Sequence, residues 1–328
     1  MIYVNKKIKL LVAILLSVFG IYFAFKGEDF DTLALQIKSV KLKELTFAIL
    51  LLILSCIPRA IRWKQLMQPF DSIPFSHVFS ATMIGYFGNG VLVFRLGEFL
   101  KAYAVSKKYR ITASQAFGTV IVERMLDLLM VFVILLTLVP WFPFYDNNIK
   151  VGTYASISVL LLSLIVIISI VKYNVLKKIS SFKIFGSNFG KSILKALNKV
   201  LEGVSIIRNN NNIISIILIS IILWFMYYMV TLLVLSACDI NLSVFDIGVL
   251  LVLSSFLLGI PALPGSAGTL DIGVKYVLMY IFHITSVKAL NYSIISHAVS
   301  YFPLLIIGLM YFLISNVSIS DIKKRKFD

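Results

Sequence analysis

The chain has 328 residues, 59% of them hydrophobic and only 14% charged, with a mean hydropathy of +0.96. That is too little polar material to coat a water-soluble globule. The 31 Lys and Arg against 15 Asp and Glu leave +16, and the basic residues gather between apolar runs. This pattern excludes a nucleic-acid footprint and marks membrane topology beside an anionic leaflet.

Residues 10–25, preceded by Lys6, Lys7 and Lys9, resemble a signal peptide. No small-x-small cleavage site follows, so they are read as a span leaving the cytoplasm. Residues 45–58 return to Arg59, Arg62 and Lys64, read as topology signals. If residues 75–103 crossed fully, Lys101, Lys107, Lys108 and Arg110 would lie outside, against the charge rule. A re-entrant hairpin broken at 88–97 removes the conflict. Residues 113–139 then go out and 151–171 come back. The following loop, with Lys172, Lys177, Lys178, Lys183, Lys191, Lys195, Lys199 and Arg208, is cytoplasmic. Within it, the three- and four-residue spacing of Ile179, Phe182, Phe185, Phe189, Ile193, Leu197, Val200 and Val204 predicts an amphipathic helix over 176–205 on the inner leaflet.

Residues 213–235 run outward to Asp239 and Asp246, and 292–314 return to a tail carrying Lys323, Lys324, Arg325 and Lys326. Residues 245–282 therefore start and end outside, and two short apolar arms around Gly259 to Gly268 predict a second hairpin entering from the opposite face. The order span, span, hairpin, span is thereby repeated with inverted topology. The fold class expected is an all-α polytopic membrane protein of about six spans and two re-entrant hairpins, one transmembrane domain over 1–328 with repeats at 1–150 and 151–328. Cys56 and Cys238 at the ends of apolar runs read as structural thiols. Trp63, Trp141, Phe142, Phe144 and Tyr145 read as an interface belt. His77, His283 and His297 are isolated, and no metal site is expected.

Chemistry concentrates where charge and glycine interrupt the apolar texture, because both are expensive at membrane depth. Asn89, Arg95 and Glu98 surround the first break, and Glu123, Arg124 and Asp127 share one helix face by their three- and four-residue spacing. Glu123 precedes Pro140 by 17 residues, about 25 Å of helix, which places it at headgroup level on the cytoplasmic side of a core about 30 Å thick. Interrupted helices meeting near the midplane offer free N–H groups to an anion.

These residues carry a resemblance. The run N-x-x-x-x-R-x-G-E (Asn89, Arg95, Gly97, Glu98), the later E-R-x-x-D (Glu123, Arg124, Asp127) and L-P-G-x-x-G (Leu263, Pro264, Gly265, Gly268) resemble the lysylphosphatidylglycerol synthase transmembrane, or flippase-like, family over almost the whole chain. The resemblance implies that Asn89, Arg95, Glu98, Glu123, Arg124 and Asp127 line a headgroup path, with Gly265 and Asp271 in the second hairpin. Three departures stand out: Phe94 in place of a usual proline, Lys101 in place of a common arginine, and Ser266 and Asp271 in a motif that usually reads P-G-G-x-G and ends in glutamate.

The expected function is movement of an anionic or zwitterionic lipid, a phosphatidylglycerol derivative or a polyprenyl-phosphate sugar, between leaflets. The alternatives are an integral-membrane lipid-headgroup transferase and a scaffold for a separate synthase. With no room after the last span for an aminoacyl-transferase domain, and no G-x-x-x-x-G-K-[ST] phosphate loop, translocation without synthesis or ATP hydrolysis is expected, and no cofactor. The expected partners are a membrane lipid, the anionic inner leaflet, and a second copy or a separate lipid-modifying enzyme, with no nucleic acid. The expected location is the cell membrane, both termini cytoplasmic.

Overall fold

The computed structural model describes residues 22–92, 95–138, 212–259 and 264–315, with Phe19, Val151 and Ser158. Most of the expected span 10–25, the rest of 151–171, the inner-leaflet helix 176–205, the aromatics Trp141, Phe142, Phe144 and Tyr145, and the basic tail lie outside the described residues. Among the described residues every regular element is helical: α1 (Phe30–Lys38), α2 (Leu42–Met67), α3 (Phe75–Val91), α4 (Gly97–Ser106), α5 (Ala113–Leu138), α6 (Ile213–Ala237), α7 (Val244–Leu258), a single 3₁₀ turn (Pro264–Ser266), α8 (Thr269–Tyr280) and α9 (Ser286–Ile314).

Local chemistry sets several of these boundaries. Asp29 accepts from the N–H of Asp31 and starts α1. Thr112 and Gln115 cap one another ahead of α5, and Ser243 and Asp246 do the same at α7. α2, α6 and α9 are each long and apolar enough to cross a membrane. α5 has 26 residues but carries Glu123, Arg124 and Asp127 in its middle. By contrast α3, α4, α7 and α8 have 17, 10, 15 and 12 residues, short of the roughly 20 a crossing needs.

α3 and α4 form an antiparallel hairpin. A methyl at Gly88 would meet the Gly97 Cα and one at Gly85 would meet the Lys101 Cβ, so contacts step forward along α4 as they step back along α3, as antiparallel packing requires. Its open end lies beside the C-terminus of α2 and the N-terminus of α6. There Asp71 accepts from the Arg110 N–H at 3.0 Å, Gln65 donates to Ser215 at 2.8 Å, and Asn212 donates to Gln68 at 2.5 Å. Lys64, Lys107, Lys108 and Arg110 give this end its basic excess.

α7 and α8 pair through the second break, with Leu257 packed on Gly273. Their open end lies at the other pole, where the Lys41 N–H bonds the Ala237 carbonyl and Lys41 pairs with Asp239 at 3.1 Å. The two hairpins thus enter the bundle from opposite ends, and their breaks touch. Arg95 donates to the Leu258 carbonyl at 3.1 Å, and the Tyr301 hydroxyl of α9 donates to the Gly90 carbonyl at 3.0 Å. The same ring closes on Gly265, whose φ of +71° is open to glycine without strain.

Candidate functional site

The three charges of α5 are the hub. Asp127 lies 2.7 Å from Arg62 and 3.5 Å from Arg59, both on α2, and 3.3 Å from Arg124 on its own helix. Glu123 lies 2.6 Å from Lys101 of α4 and 3.5 Å from Arg62. Arg124 reaches Glu98 of α4 at 3.4 Å, and Asn89 of α3 donates to the same carboxylate at 3.3 Å. Tyr227 accepts from Arg59 at 2.9 Å and Ser220 from Arg62 at 3.0 Å, so α6 closes the ring. Arg59 also lies between the faces of Tyr86 and Tyr227, 5.9 and 5.8 Å from their centroids.

Five helices therefore converge on four cations (Arg59, Arg62, Lys101, Arg124) and three carboxylates (Glu98, Glu123, Asp127), a surplus of one positive charge. Arg62 and Glu123 are fully buried. Unpaired charge there would be costly, so the network neutralises itself almost completely. What it leaves over is telling. Arg62 Nε, Asn89 Oδ1, Glu123 Oε1, Arg124 Nε and Asp127 Oδ2 are buried without a hydrogen-bond partner, and Asn89 and Arg124 line a small cleft together with Arg59, Tyr86, Glu98 and Lys101. Arg124 is the most accessible of the four cations, its side chain 34% accessible. Three cations against one carboxylate give that cleft a net positive charge, which suits a phosphate.

Glu123 stands ten residues into α5, about 15 Å along the helix, and an apolar layer including Ala60, Trp63, Val78, Val105, Ala116 and Val120 separates it from the basic end. Trp63 belongs to that layer rather than to an interface belt: its indole N–H donates to Thr119 at 2.9 Å and its ring lies 4.0 Å from the Lys101 ammonium. α5 starts at Ala113, so its first turns are spent crossing this layer before the carboxylates appear.

Of the residues singled out in the sequence, Asn89, Glu98, Glu123, Arg124 and Asp127 come together. Arg95 reaches across to Leu258 instead. Gly265 abuts Tyr301. Asp271 caps its own helix, accepting from the Gly268 N–H at 2.8 Å, and pairs with His297 at 2.8 Å. His297 is therefore not isolated. Arg59 and Arg62, expected as topology signals, are cluster members buried in the bundle, whereas Lys64 beside them is exposed. Their spacing of three on a helix that continues to Met67 was the available signal, since it aims both inward on one face. Among the described residues no group of three or more His, Cys, Asp or Glu could hold a metal ion.

A family model described as "Lysylphosphatidylglycerol synthase TM region" matches residues 10–308. A UPF0104 membrane protein of Methanocaldococcus jannaschii is similar to the chain, 24% identical over 252 residues that make up 74% of this chain and 100% of the relative. No solved structure matches.

Proposed function

The chain belongs to the family of lysylphosphatidylglycerol synthase transmembrane regions, and from that premise we propose that it moves an anionic or zwitterionic lipid between leaflets, its headgroup held in the charged cleft. The observation that carries the reading is the surplus cation of the buried cluster, set where Arg59, Lys101 and Arg124 line one cleft with a single carboxylate, Glu98. A phosphodiester brings one negative charge and several acceptor oxygens, matching the surplus cation and the guanidinium donors of Arg59 and Arg124. Acyl or prenyl chains stay in hydrocarbon while the headgroup passes.

Two short-armed hairpins whose breaks meet support a re-entrant pair in an inverted repeat, 1–150 and 151–328, as transporters with discontinuous helices use. In this reading the basic end faces the cytoplasm of a cell membrane, and the chain transports a lipid without making one. Substrate is a phosphatidylglycerol derivative or a polyprenyl-phosphate sugar; a second copy or a separate lipid-modifying enzyme is the protein partner.

The experiment is reconstitution of the purified protein in liposomes with a fluorescent lipid of either class. Loss of leaflet asymmetry beyond that of empty liposomes supports transport. A chemically altered headgroup without redistribution would replace it with a transferase. Inactivity relieved only by a co-reconstituted synthase would replace it with a scaffold.

A further inference from the structure

His297 of α9 and Asp271 of α8 form a pair outside the charged cluster, with the imidazole Nδ1 at 2.8 Å from the Asp271 Oδ1. The other carboxylate oxygen accepts from the Gly268 N–H at 2.8 Å, and the Ser293 hydroxyl donates to the Asp271 carbonyl at 2.8 Å, so the partners are held in register. Their side chains are 15% and 16% accessible. One turn beyond His297, the Tyr301 ring stands edge-on to the imidazole with centroids 5.8 Å apart. Its hydroxyl holds the Gly90 carbonyl and its ring fills the space beside Gly265. A titratable pair is thereby coupled, through a single side chain, to the point where the two hairpin breaks meet.

We propose that Asp271 and His297 bind a proton that drives lipid movement, and that the protonation state is passed through Tyr301 to the junction of the breaks. This rests on the transport reading above and gives Asp271 a role other than headgroup contact. With neutral imidazole the pair carries one negative charge. A proton accepted on the imidazole turns it into an imidazolium–carboxylate pair with no net charge, Nδ1–H donating to the carboxylate. Closing the neutral pair away from water is much less costly than closing the negative one. Occlusion therefore favours the proton-bound pair, and renewed contact with water releases the proton.

The surroundings leave this exchange to the pair itself. On α8, Lys275 is committed to Glu28 at 2.6 Å and to the Ala24 carbonyl at 2.5 Å. On α9 the other titratable groups are Tyr292, Tyr301, Tyr311 and Lys288, the last donating to the Asp239 carbonyl. α7 brings only Asp246, bound to Ser243 at its far end. α1 brings Asp31 and Lys38, and α3 brings Tyr86 and His77, the latter held by Lys108. Arg59 of α2 and Tyr227 of α6 are engaged in the charged cluster.

The test has two arms on the full chain in proteoliposomes. In the first, a labelled phosphatidylglycerol is followed with and without an imposed pH gradient. The gradient changes the rate severalfold in the unmodified protein, and the ratio falls to about one in His297→Gln and in Asp271→Asn. In the second, spin labels on the tips at Val91 and Phe256, 46% and 37% exposed, report tip separation at about pH 5 and about pH 8 with no added lipid substrate. Separation changes with pH in the unmodified protein and stays fixed in His297→Gln and in the fold-preserving Tyr301→Phe. A rate indifferent to the gradient, a gradient response kept by His297→Gln, or a pH-invariant tip separation would each overturn the proton site. If no lipid moves at all, the transport reading fails, and the spin labels alone decide whether the pair senses protons.

Discussion

The guanidinium of Arg95 donates a hydrogen bond to the backbone carbonyl of Leu258, 3.1 Å away, joining the break of one hairpin to the last residue of the helix that enters from the other end. That carbonyl is among the four left without an intrahelical partner at a helix C-terminus, so a cation that can reach it stabilises both breaks at once. Arg95 does so from the left-handed region, φ 54°, a backbone state that costs a non-glycine residue about 1–2 kcal/mol. Arg95→Ala should slow lipid translocation at least tenfold while lowering stability by only about 1 kcal/mol, the worth of a partly solvated hydrogen bond. Translocation assays and thermal unfolding in detergent separate the two effects.

Arg124 is the most accessible cation of the cleft and Glu98 its partner. Arg124→Ala and Glu98→Gln are each expected to abolish translocation while the protein still inserts and elutes as a single species. A variant of either kind with unchanged transport would reduce the pair to a structural contact.

Lys101 and Glu123 behave differently because both are buried. Removing one charge strands the other, at about 3–5 kcal/mol, so Lys101→Met and Glu123→Gln should unfold at markedly lower temperature. The double variant should be more stable than the two losses added together, because no stranded partner remains. A strictly additive cycle would mean that Arg59 and Arg62, not Lys101, set the state of Glu123.

Gly97 is the tightest point of the first hairpin: a methyl there would lie 2.1 Å from the Gly85 carbonyl oxygen and 2.3 Å from the Asn89 nitrogen. Gly97→Ala must push α3 and α4 apart, and both stability and transport should fall. Gly259→Ala is the matched control, since its methyl would come no closer than 3.1 Å, to the Phe256 carbonyl. Its melting temperature should stay within a few degrees of the unmodified protein, a shift of about 1 kcal/mol at most.

Apolar run length located α2, α6 and α9, and two short apolar runs around Gly259 to Gly268 located the arms of the second hairpin within a residue or two, whereas the short polar-flanked α1 gave no such run and was missed. The six-residue advance of α9 to Ser286 and the extension of α2 to Met67 were not legible in the sequence, because hydropathy fades where a helix leaves hydrocarbon while its hydrogen bonding continues. The extension of α2 also explains why Arg59 and Arg62 misread. A charge rule treats every basic residue at a span end alike, whereas their burial depends on carboxylates more than sixty residues later in the chain. The pairing of His297 with Asp271 was invisible for the same reason: helix spacing reports neighbours three or four residues away, and these are 26 apart.

Whether the two hairpins enter from opposite faces of the membrane is measured directly by impermeant thiol labelling of single-cysteine variants in sealed vesicles. Lys107→Cys at the open end of the first hairpin and Tyr280→Cys at that of the second, both exposed, should be labelled from opposite sides of the bilayer. Labelling of both from the same side would contradict opposed entry.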